Sequence, residues 1–397
     1  MTNMNKTARN MILAALLFPA TIIAQVSSNG ISMNKSVASA TQLYFNDEKD
    51  AGIVGEVKNN APLFITENSN VTEDTIGSCD VCKDVPKGVF CDDFCGTELD
   101  LTKWWYGRNH WGNGKTFKNH GVAPENVIVK NNKAYFGANG DHYSGPIKGI
   151  TKSKGSFAQD APGTRVGGIL ITDEYIGSGR YEVSMKLPPK LGVCSAIWTF
   201  HYQEVYQDNP SYQDLINKGY DAQGNDNDGR YVTVNHEIDI EIPSAPKTGD
   251  QYKDCSYDYA RLNTWHTEVN YTDNFQNMGM NQSDGKFHTY RFDWHTGGGT
   301  EKARVDFYLD DKFIYTTTAH IPDIKGRLTL GTWFPEWAGG KADFDSIFLE
   351  IDWVKVTPFN EPNDKTVRES FKNSGMTKCR NMADNEKYLG KCKISQF

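Results

Sequence analysis

The sequence predicts an all-β fold, a β-sandwich of many strands formed by residues 85–357. Short runs of β-branched and aromatic residues alternate there with turns rich in Gly, Asn and Asp, and no helical periodicity is sustained. Asp310-Asp311-Lys312 lies between two strand-like runs, which is a hairpin signal. A sandwich of this length is ordinary for a single domain. The clearest strand-like runs are residues 126–138, 179–187, 196–202, 304–316 and 347–356.

The N-terminal residues predict export. Lys6 and Arg9 precede an apolar run over residues 11–24 that ends in a small residue, an order typical of a secretory signal. We therefore expect residues 1–24 to be a signal peptide, and the mature chain to be periplasmic, cell-surface or secreted. The run is shorter than the ~20 apolar residues of a bilayer span, so an uncleaved anchor is the alternative and no integral membrane segment is expected.

Two further segments lie outside the predicted sandwich. Residues 25–84 are polar and weakly periodic, which indicates a linker or a loosely ordered arm. Residues 358–397 are charged and turn-rich, and we interpret them as a C-terminal extension. The net charge of −8 argues against a nucleic-acid partner, which requires a basic surface to meet phosphates. We expect the protein to be a monomer.

The cysteines agree with export, because an even number of cysteines outside the cytoplasm indicates disulfides. Cys379 and Cys392 form a local pair in the C-terminal extension. The first four cysteines are closely spaced, and zinc binding is the alternative to disulfides for them. Sequence spacing leaves the pairing open. The eight cysteines are Cys79, Cys82, Cys91, Cys95, Cys194, Cys255, Cys379 and Cys392.

A polar insertion over residues 203–230 separates two predicted strands, one ending near Tyr202 and one starting near Tyr231. A loop of this length in a compact domain is more often functional than accidental. Its run from Asn225 to Gly229 is acidic, but the acidic positions do not have the spacing of an EF-hand before the glycine, so we reject a calcium loop there.

The stretch over residues 231–242 reads YVTVNHEIDIEI and alternates strictly in its last part. Side chains alternate between the two faces of a strand. Glu237, Asp239 and Glu241 are therefore predicted to share one face, and the three intervening isoleucines to pack against a second sheet. His236 points to the isoleucine face, where a packing or hydrogen-bonding role is favoured over a catalytic one.

Three carboxylates in a row on one strand are electrostatically costly, since same-face neighbours are only ~7 Å apart. A glycosidase requires such a pair: one carboxylate attacks the anomeric carbon, and one carboxylic acid protonates the leaving oxygen. Mutual repulsion helps to keep one of them protonated. Glu237 and Glu241 are ~13 Å apart at Cα on a straight strand, and their position on one face favours retention over inversion. The alternative is a solvated strand with an acidic outer face.

Several segments in the same order resemble glycoside hydrolase family 16, which includes lichenases, laminarinases, agarases and endo-β-galactosidases. The resemblance covers residues 90–356, and it implies a concanavalin-like jelly-roll β-sandwich with a concave substrate cleft and retaining chemistry. It implies that Glu237 is the nucleophile, that Glu241 is the acid/base, and that Asp239 tunes the nucleophile. The segments are residues 90–94 (FCDDF), 124–127 (PENV), 179–186 (GRYEVSMK), 236–242 (HEIDIEI), 287–294 (FHTYRFDW), 333–339 (WFPEWAG) and 351–356 (IDWVKV).

Sugar rings present apolar C–H faces, and Trp and Tyr side chains serve as platforms for them. Trp198, Trp265, Trp333 and Trp337 flank the predicted catalytic face, and the last two are favoured because WFPEWAG resembles a cleft-edge loop. The alternative is that these rings fill the core. Trp111 is a further, weaker candidate. Asn270 is a candidate to hydrogen-bond the sugar or a catalytic acid.

We therefore expect a retaining endo-β-glycosidase that hydrolyses a β-linked glucan- or galactan-type polysaccharide by double displacement. Two alternatives use the same surface: a non-catalytic carbohydrate-binding sandwich, which would not need paired acids, and a transglycosylase, in which a sugar replaces water as acceptor. The chemistry needs no cofactor and no metal. The family resemblance allows a structural calcium ion on the convex side.

Overall fold

The computed structural model describes residues 76–107, 119–145, 148–150, 157–159, 165–225, 229–267, 270–335, 337–366 and 378–379. The chain divides into two units, Met1–Asn60 and Ala61–Phe397, and all described residues belong to the second. The predicted signal peptide therefore lies outside the described residues, as do most of the predicted arm and of the C-terminal extension.

The described elements are twenty strands, one short α-helix and one 3₁₀ turn. The helix α1 is Tyr212–Asn217, and the 3₁₀ turn is Pro124–Asn126. The strands are β1 Phe90–Asp92, β2 Trp104–Gly107, β3 Asn119–Val122, β4 Val127–Lys130, β5 Lys133–Asn139, β6 Lys148–Ile150, β7 Phe157–Gln159, β8 Arg165–Thr172, β9 Gly179–Lys186, β10 Cys194–Tyr206, β11 Ala222–Asn225, β12 Gly229–Ile242, β13 Tyr259–Trp265, β14 Phe275–Asn277, β15 His288–His295, β16 Arg304–Leu309, β17 Lys312–Thr317, β18 Arg327–Trp333, β19 Ser346–Pro358 and β20 Lys378–Cys379.

The long strands form two antiparallel layers. In the first layer, β4, β5, β19, β9, β15, β16 and β17 pair in that order, and β1 pairs with the end of β19. In the second layer, β2, β8, β18, β10, β12, β13 and β14 pair in that order. The pair Asn139 and Val166 joins the layers at one edge. The predicted all-β jelly-roll sandwich is confirmed.

One continuous apolar core lies between the layers. The isoleucine face of β12 contributes Ile238, Ile240 and Ile242, each at most 1% exposed. They belong to the same core cluster as Met185 of β9 and Phe292 of β15 in the other layer. Burying one such side chain stabilises a fold by about 1.5–3 kcal/mol. The isoleucines that alternate with the acids along β12 therefore anchor this strand in the core.

The polar insertion is more ordered than the sequence predicted. β10 continues to Tyr206 and pairs with β12 from its first residues, so the two strands form one long hairpin. Helix α1 and strand β11 lie at the tip of this hairpin, and β11 pairs with the start of β12. The second strand, predicted to start near Tyr231, is β12 and begins at Gly229. The first, predicted to end near Tyr202, continues to Tyr206, because Val205 packs with Val232 and Val234 in a small apolar cluster.

Four cysteines near the start of the described chain form two disulfides, Cys79–Cys95 and Cys82–Cys91. The prediction of disulfides is confirmed for these four residues, and the zinc alternative is wrong because each sulfur is bonded to another sulfur. Cys194 and Cys255 are buried free thiols. The predicted partner of Cys379, Cys392, lies outside the described residues.

Among the described residues, no helix combines the length and the apolar character needed to cross a bilayer. The predicted boundaries of the arm and of the C-terminal extension stay predictions. Both segments nevertheless touch the sandwich where they are described: Gly77 donates a backbone hydrogen bond to Asn131, and β20 pairs with β2.

Candidate active site

The three acidic residues lie on the central strand of the second layer, β12, between β10 and β13. The pairing register decides their neighbours, because residues directly opposite in an antiparallel pair lie on the same face. Each acid is therefore placed between one side chain of β10 and one of β13. The three rows are Phe200–Glu237–Trp265, Trp198–Asp239–Asn263 and Ala196–Glu241–Arg261.

The structure thus brings Glu237, Asp239 and Glu241 to one face, turned away from the core. Asp239 is only 4% exposed, whereas the two glutamates are partly exposed. The middle carboxyl is thus the most enclosed of the three. The two partly exposed glutamates can reach a substrate, whereas the buried Asp239 between them is placed to support them.

The surroundings of Asp239 favour its neutral form. Burial raises its pKa well above the usual range, and the charge of Glu237 and a hydrogen bond to Glu237 raise it further. The indole Nε1 of Trp265 donates to Asp239 Oδ2 at 2.8 Å and acts in the opposite direction. A protonated Asp239 can donate its proton in the hydrogen bond to Glu237 while its other oxygen accepts from Trp265.

Glu241 is also protonated at neutral pH. Burial is the main cause that raises its pKa to about 8, and the neighbouring Asp239 carboxyl group raises it further whenever it is ionised. The guanidinium of Arg261 and a hydrogen bond from Trp333 lower the pKa but do not cancel the effect of burial. A carboxylic acid with a pKa near neutrality is suited to donate a proton in one step and to accept it in the next.

Glu237 is the acceptor in this group. The side-chain amide of Asn235, two residues earlier on the same face, donates to Glu237 Oε2 at 3.4 Å. Asp239, in the neutral form that its surroundings favour, is the second donor to Glu237. Two donors aimed at one carboxyl group favour its charged form, which is the form that attacks a carbon atom.

Aromatic rings surround the acids on the same side of the sheet. Trp265 stacks on Tyr271 with ring centroids 4.1 Å apart, and Trp333 meets Trp337 edge to face at 6.0 Å. Trp265 and Trp333 each touch a carboxyl group, so they are the best placed of the predicted platforms. Trp198 lies opposite Asp239 but is only 6% exposed, so little of its ring remains available to a sugar.

The two remaining candidates for substrate binding, Asn270 and Trp111, stay predictions. Asn270 lies in the turn after β13, where its backbone N–H donates to Thr267 Oγ1 at 2.8 Å and its carbonyl accepts from His266. Its role in substrate binding stays a prediction. Trp111 lies outside the described residues.

Sequence reasoning missed Arg261, the partner of Glu241 on β13. Its guanidinium carbon lies 4.0 Å from the ring centroid of Trp337 and 4.7 Å from that of Phe275. Stacking between two rings positions the cation beside the acid. Alternation along β13 places Arg261 on the same face as Trp265, but its position beside Glu241 follows only from the register between β12 and β13.

Comparison with known proteins finds relatives named as β-glucanases and as a β-porphyranase. No protein-family model matches the chain. A β-glucanase of Acetivibrio thermocellus is 27% identical over 194 residues, 48% of this chain and 45% of that protein. A β-porphyranase C of Zobellia galactanivorans is 24% identical over 302 residues, 67% of this chain and 75% of that protein. The match covers less than half the length of the first of these relatives.

A solved structure with a similar arrangement is a lichenase, a β-1,3-1,4-glucanase derived from a mouse hindgut metagenome. It is 19% identical, with a TM-score of 0.45, and the alignment covers 68% of this chain and 99% of that one. The predicted resemblance to glycoside hydrolase family 16 is confirmed by the β-glucanase relatives.

Proposed function

We propose that this protein is a retaining endo-β-glycosidase that cleaves a β-linked glucan- or galactan-type polysaccharide. The observation that carries the proposal is the position of Glu237 and Glu241 on one face of β12 in different chemical states. Glu237 accepts hydrogen bonds from Asn235 and Asp239, whereas burial keeps Glu241 protonated at neutral pH. Paired carboxyl groups with different roles are what glycoside hydrolysis requires.

In the first step, the Glu237 carboxylate attacks the anomeric carbon while Glu241 gives its proton to the glycosidic oxygen. The bond from the anomeric carbon to that oxygen breaks, the leaving sugar departs as an alcohol, and Glu237 becomes the ester of the remaining sugar. The hydrogen bond from neutral Asp239 orients Glu237 and stabilises it as the leaving group of the second step.

In the second step, the Glu241 carboxylate takes a proton from water, and the resulting oxygen attacks the anomeric carbon. The ester bond to Glu237 breaks and Glu241 is protonated again, which restores the starting state. Two inversions at the same carbon give a product of the original configuration. A sugar hydroxyl in place of water gives transglycosylation, so the acceptor decides between these two outcomes.

The names of the relatives support the proposed substrate class. β-Glucanases act on β-linked glucans, and one relative is named a β-porphyranase. The cleft aromatics Trp265, Trp333 and Trp337 suit the apolar faces of either kind of sugar. Neither step of the proposed mechanism passes through a metal ion. A structural calcium ion on the other side of the sandwich stays a prediction, since such sites also use backbone carbonyl oxygens.

We further propose that the protein acts outside the cytoplasm. The two disulfides at Cys79–Cys95 and Cys82–Cys91 require an oxidising compartment to persist, and polymeric β-glycans are extracellular substrates. We propose that it works as a monomer, because the complete acid pair lies within one chain.

The proposed function is tested by a substrate panel with product sizing. The panel contains mixed-linkage glucan, laminarin, an agar-type galactan and poly-N-acetyllactosamine, each with and without an oligosaccharide acceptor. Internal cleavage of one of them, lost in both Glu237→Ala and Glu241→Ala, is expected. Glu301→Ala, which removes an exposed glutamate on the other layer, is the matched control and should keep full activity. Full activity in either of the first two variants would place the site elsewhere.

A further inference from the structure

The hairpin of β10 and β12 extends the acid-bearing face well beyond the acids. The two strands keep one register from the acids out to the pair Tyr206 and Tyr231. Residues opposite each other share a face, and side chains alternate along each strand. Tyr202, Tyr206 and Tyr231 therefore lie on the same face as Glu237. This extension is built from the polar insertion over residues 203–230 and the strand that follows it.

Aromatic side chains occupy the extended face in two steps. Phe200, directly opposite Glu237, stacks on Tyr202 with ring centroids 6.0 Å apart and an angle of 8° between the planes. Farther out, Tyr206 and Tyr231 have ring centroids 5.4 Å apart. The outer pair lies roughly 20 Å along the strands from the row of Glu237, since a strand rises ~3.3 Å per residue. That distance spans several sugar units.

The opposite face of the hairpin supplies its packing. The small apolar cluster around Val205 is buried there, and helix α1 packs against it. The hairpin is thus supported from behind, and its packing does not explain the aromatic residues on the acid side. Tyr206 is 41% exposed, and Tyr202 and Tyr231 are partly exposed. An exposed apolar surface of this kind commonly marks a binding site.

The exposed rings are continuous with the candidate active site. Trp265 lies opposite Glu237 on β13 and stacks on Tyr271, which is 44% exposed. Phe200 and Trp265 therefore flank Glu237 from the two neighbouring strands. A polysaccharide held at Glu237 lies at the start of the aromatic surface, and its pyranose rings present apolar faces that suit such side chains.

We propose that Phe200, Tyr202, Tyr206 and Tyr231, here called the hairpin strip, bind sugar units of the polysaccharide away from the bond that is cleaved. The inference rests on the proposed function, because it takes the acid-bearing face as the substrate side. The bound units belong to the main chain or to a branch, and both present the same apolar ring faces. Remote binding of this kind favours a polymer over a short glycoside.

The test measures binding without cleavage, in the full chain with the substitution Glu237→Ala. Its retardation is measured in native gels that contain mixed-linkage glucan, laminarin, agar-type galactan or poly-N-acetyllactosamine. At least one glycan should retard this parent chain. Adding Tyr206→Ala and Tyr231→Ala together should weaken that binding about tenfold. Adding Tyr206→Phe and Tyr231→Phe, which keeps both rings, should leave it nearly unchanged.

A single substitution guards against loss of the fold. Tyr206→Ala removes the most exposed ring of the hairpin strip and should by itself weaken binding several-fold. The urea midpoint of every variant is compared with that of the parent chain. Weaker binding at an unchanged midpoint supports a direct role of the ring in holding the glycan.

Linear oligosaccharides of increasing length distinguish the two sources of the bound units. If the hairpin strip holds main-chain units, affinity rises with length in the parent chain, and the rise disappears in the double alanine variant. If it holds a branch, the two chains bind linear oligosaccharides equally, and only binding of a branched polysaccharide is weakened.

The matched control is Phe313→Ala, which removes an exposed ring from β17 in the other layer and should bind as the parent chain does. Equal retardation of the parent chain and the double alanine variant would overturn the proposal. So would the absence of retardation by all four glycans. Binding is measured independently of cleavage, so a native chain that binds through the hairpin strip but cleaves none of the glycans would contradict the proposed function alone.

Discussion

Glu237 and Glu241 are the same side chain in two different surroundings. Glu237 accepts hydrogen bonds from its neighbours on β12, whereas Glu241 lies between Ala196 and Arg261 and accepts a hydrogen bond from Trp333. Enclosure disfavours the charged form of a carboxyl group, whereas donors favour it. The difference in surroundings is therefore sufficient to divide the acid role from the nucleophile role.

The pKa of Glu241 predicts the upper limit of the active pH range. The proton on Glu241 is needed in the first step, and it is lost as the pH rises through about 8. We expect kcat/KM to be maintained near neutral pH and to fall tenfold per pH unit well above pH 8. A rate profile measured on a soluble oligosaccharide checks this. An undiminished rate at high pH would show that Glu241 is not the acid.

The charge of Arg261 should influence this upper pH limit of activity. Its positive charge lowers the pKa of Glu241, so removing it should raise the pKa and shift the alkaline limb of the profile to higher pH. Arg261→Met keeps much of the stacking volume between Trp337 and Phe275 and removes the charge. Arg304→Met, on the other layer, is the control and should leave the limb in place. A limb unchanged in Arg261→Met would refute the electrostatic link.

At this scale the alternation of residues predicted which acids share a face, because side-chain direction in a strand follows from position alone. It did not predict Arg261 or the hydrogen bond from Trp265 to Asp239. Those contacts depend on the register between β12 and β13, which is decided by packing across the sheet and by the intervening turn.

β12 is the element on which both the fold and the site depend. Its isoleucines anchor one face in the core while its acids occupy the other. The strand is central in its layer, with β10 on one side and β13 on the other. Anchoring on the core side limits the movement of Glu237 and Glu241 relative to each other.

Truncation of Ile240 should destabilise the protein without changing the acids. Ile240→Ala should lower the free energy of unfolding by about 2–5 kcal/mol and Ile240→Val by about 0.5–1.5 kcal/mol, because each leaves a cavity in a packed core. Urea denaturation measures both. Phe313→Ala, which removes an exposed side chain on β17, is the control and should change stability by less than ~0.5 kcal/mol. If Ile240→Ala lowered the free energy of unfolding by no more than the control does, Ile240 would not be a core residue.

The hairpin of β10 and β12 shows where element-level prediction failed. The segment after Tyr202 is polar, so it was predicted to be a loop, yet Val205, Val232 and Val234 bury a satellite cluster with Tyr220. These residues are separated by about thirty positions in the sequence. Only their meeting across the hairpin makes the extension stable, and α1 is too short to leave a helical period.

At the scale of the whole molecule, the two disulfides join the segment before the sandwich to its first strand, β1. Cys91 lies on β1, and Cys95 follows it closely. β1 pairs with β19, so the start of the described chain is connected to the last long strand of the first layer. The layers themselves were predictable from alternating runs. The pairing of strands this distant was not, because no local signal specifies it.

Removal of the Cys79–Cys95 disulfide should destabilise the sandwich. A disulfide that closes a loop of about 15 residues contributes roughly 3 kcal/mol by restricting the unfolded chain, and this one has a separation of 16 residues. The double variant Cys79→Ser/Cys95→Ser should therefore unfold at lower denaturant concentration. Under reducing conditions its deficit relative to the native chain should largely vanish. A deficit that persists unchanged after reduction would mean that the serines, not the lost bond, cause it.

The central claim is that Glu237 forms the bond to the sugar and that Glu241 works beside it as acid and base. The most direct measurement is the rescue of Glu237→Ala by azide on an activated β-glycoside, with the anomer of the product identified by NMR. Azide should restore cleavage and give a glycosyl azide of inverted, α configuration, because the ion attacks from the space left by the carboxylate. A β-configured azide product from Glu237→Ala would contradict this assignment. So would the reverse pattern, in which azide rescues Glu241→Ala with an α product and does not rescue Glu237→Ala.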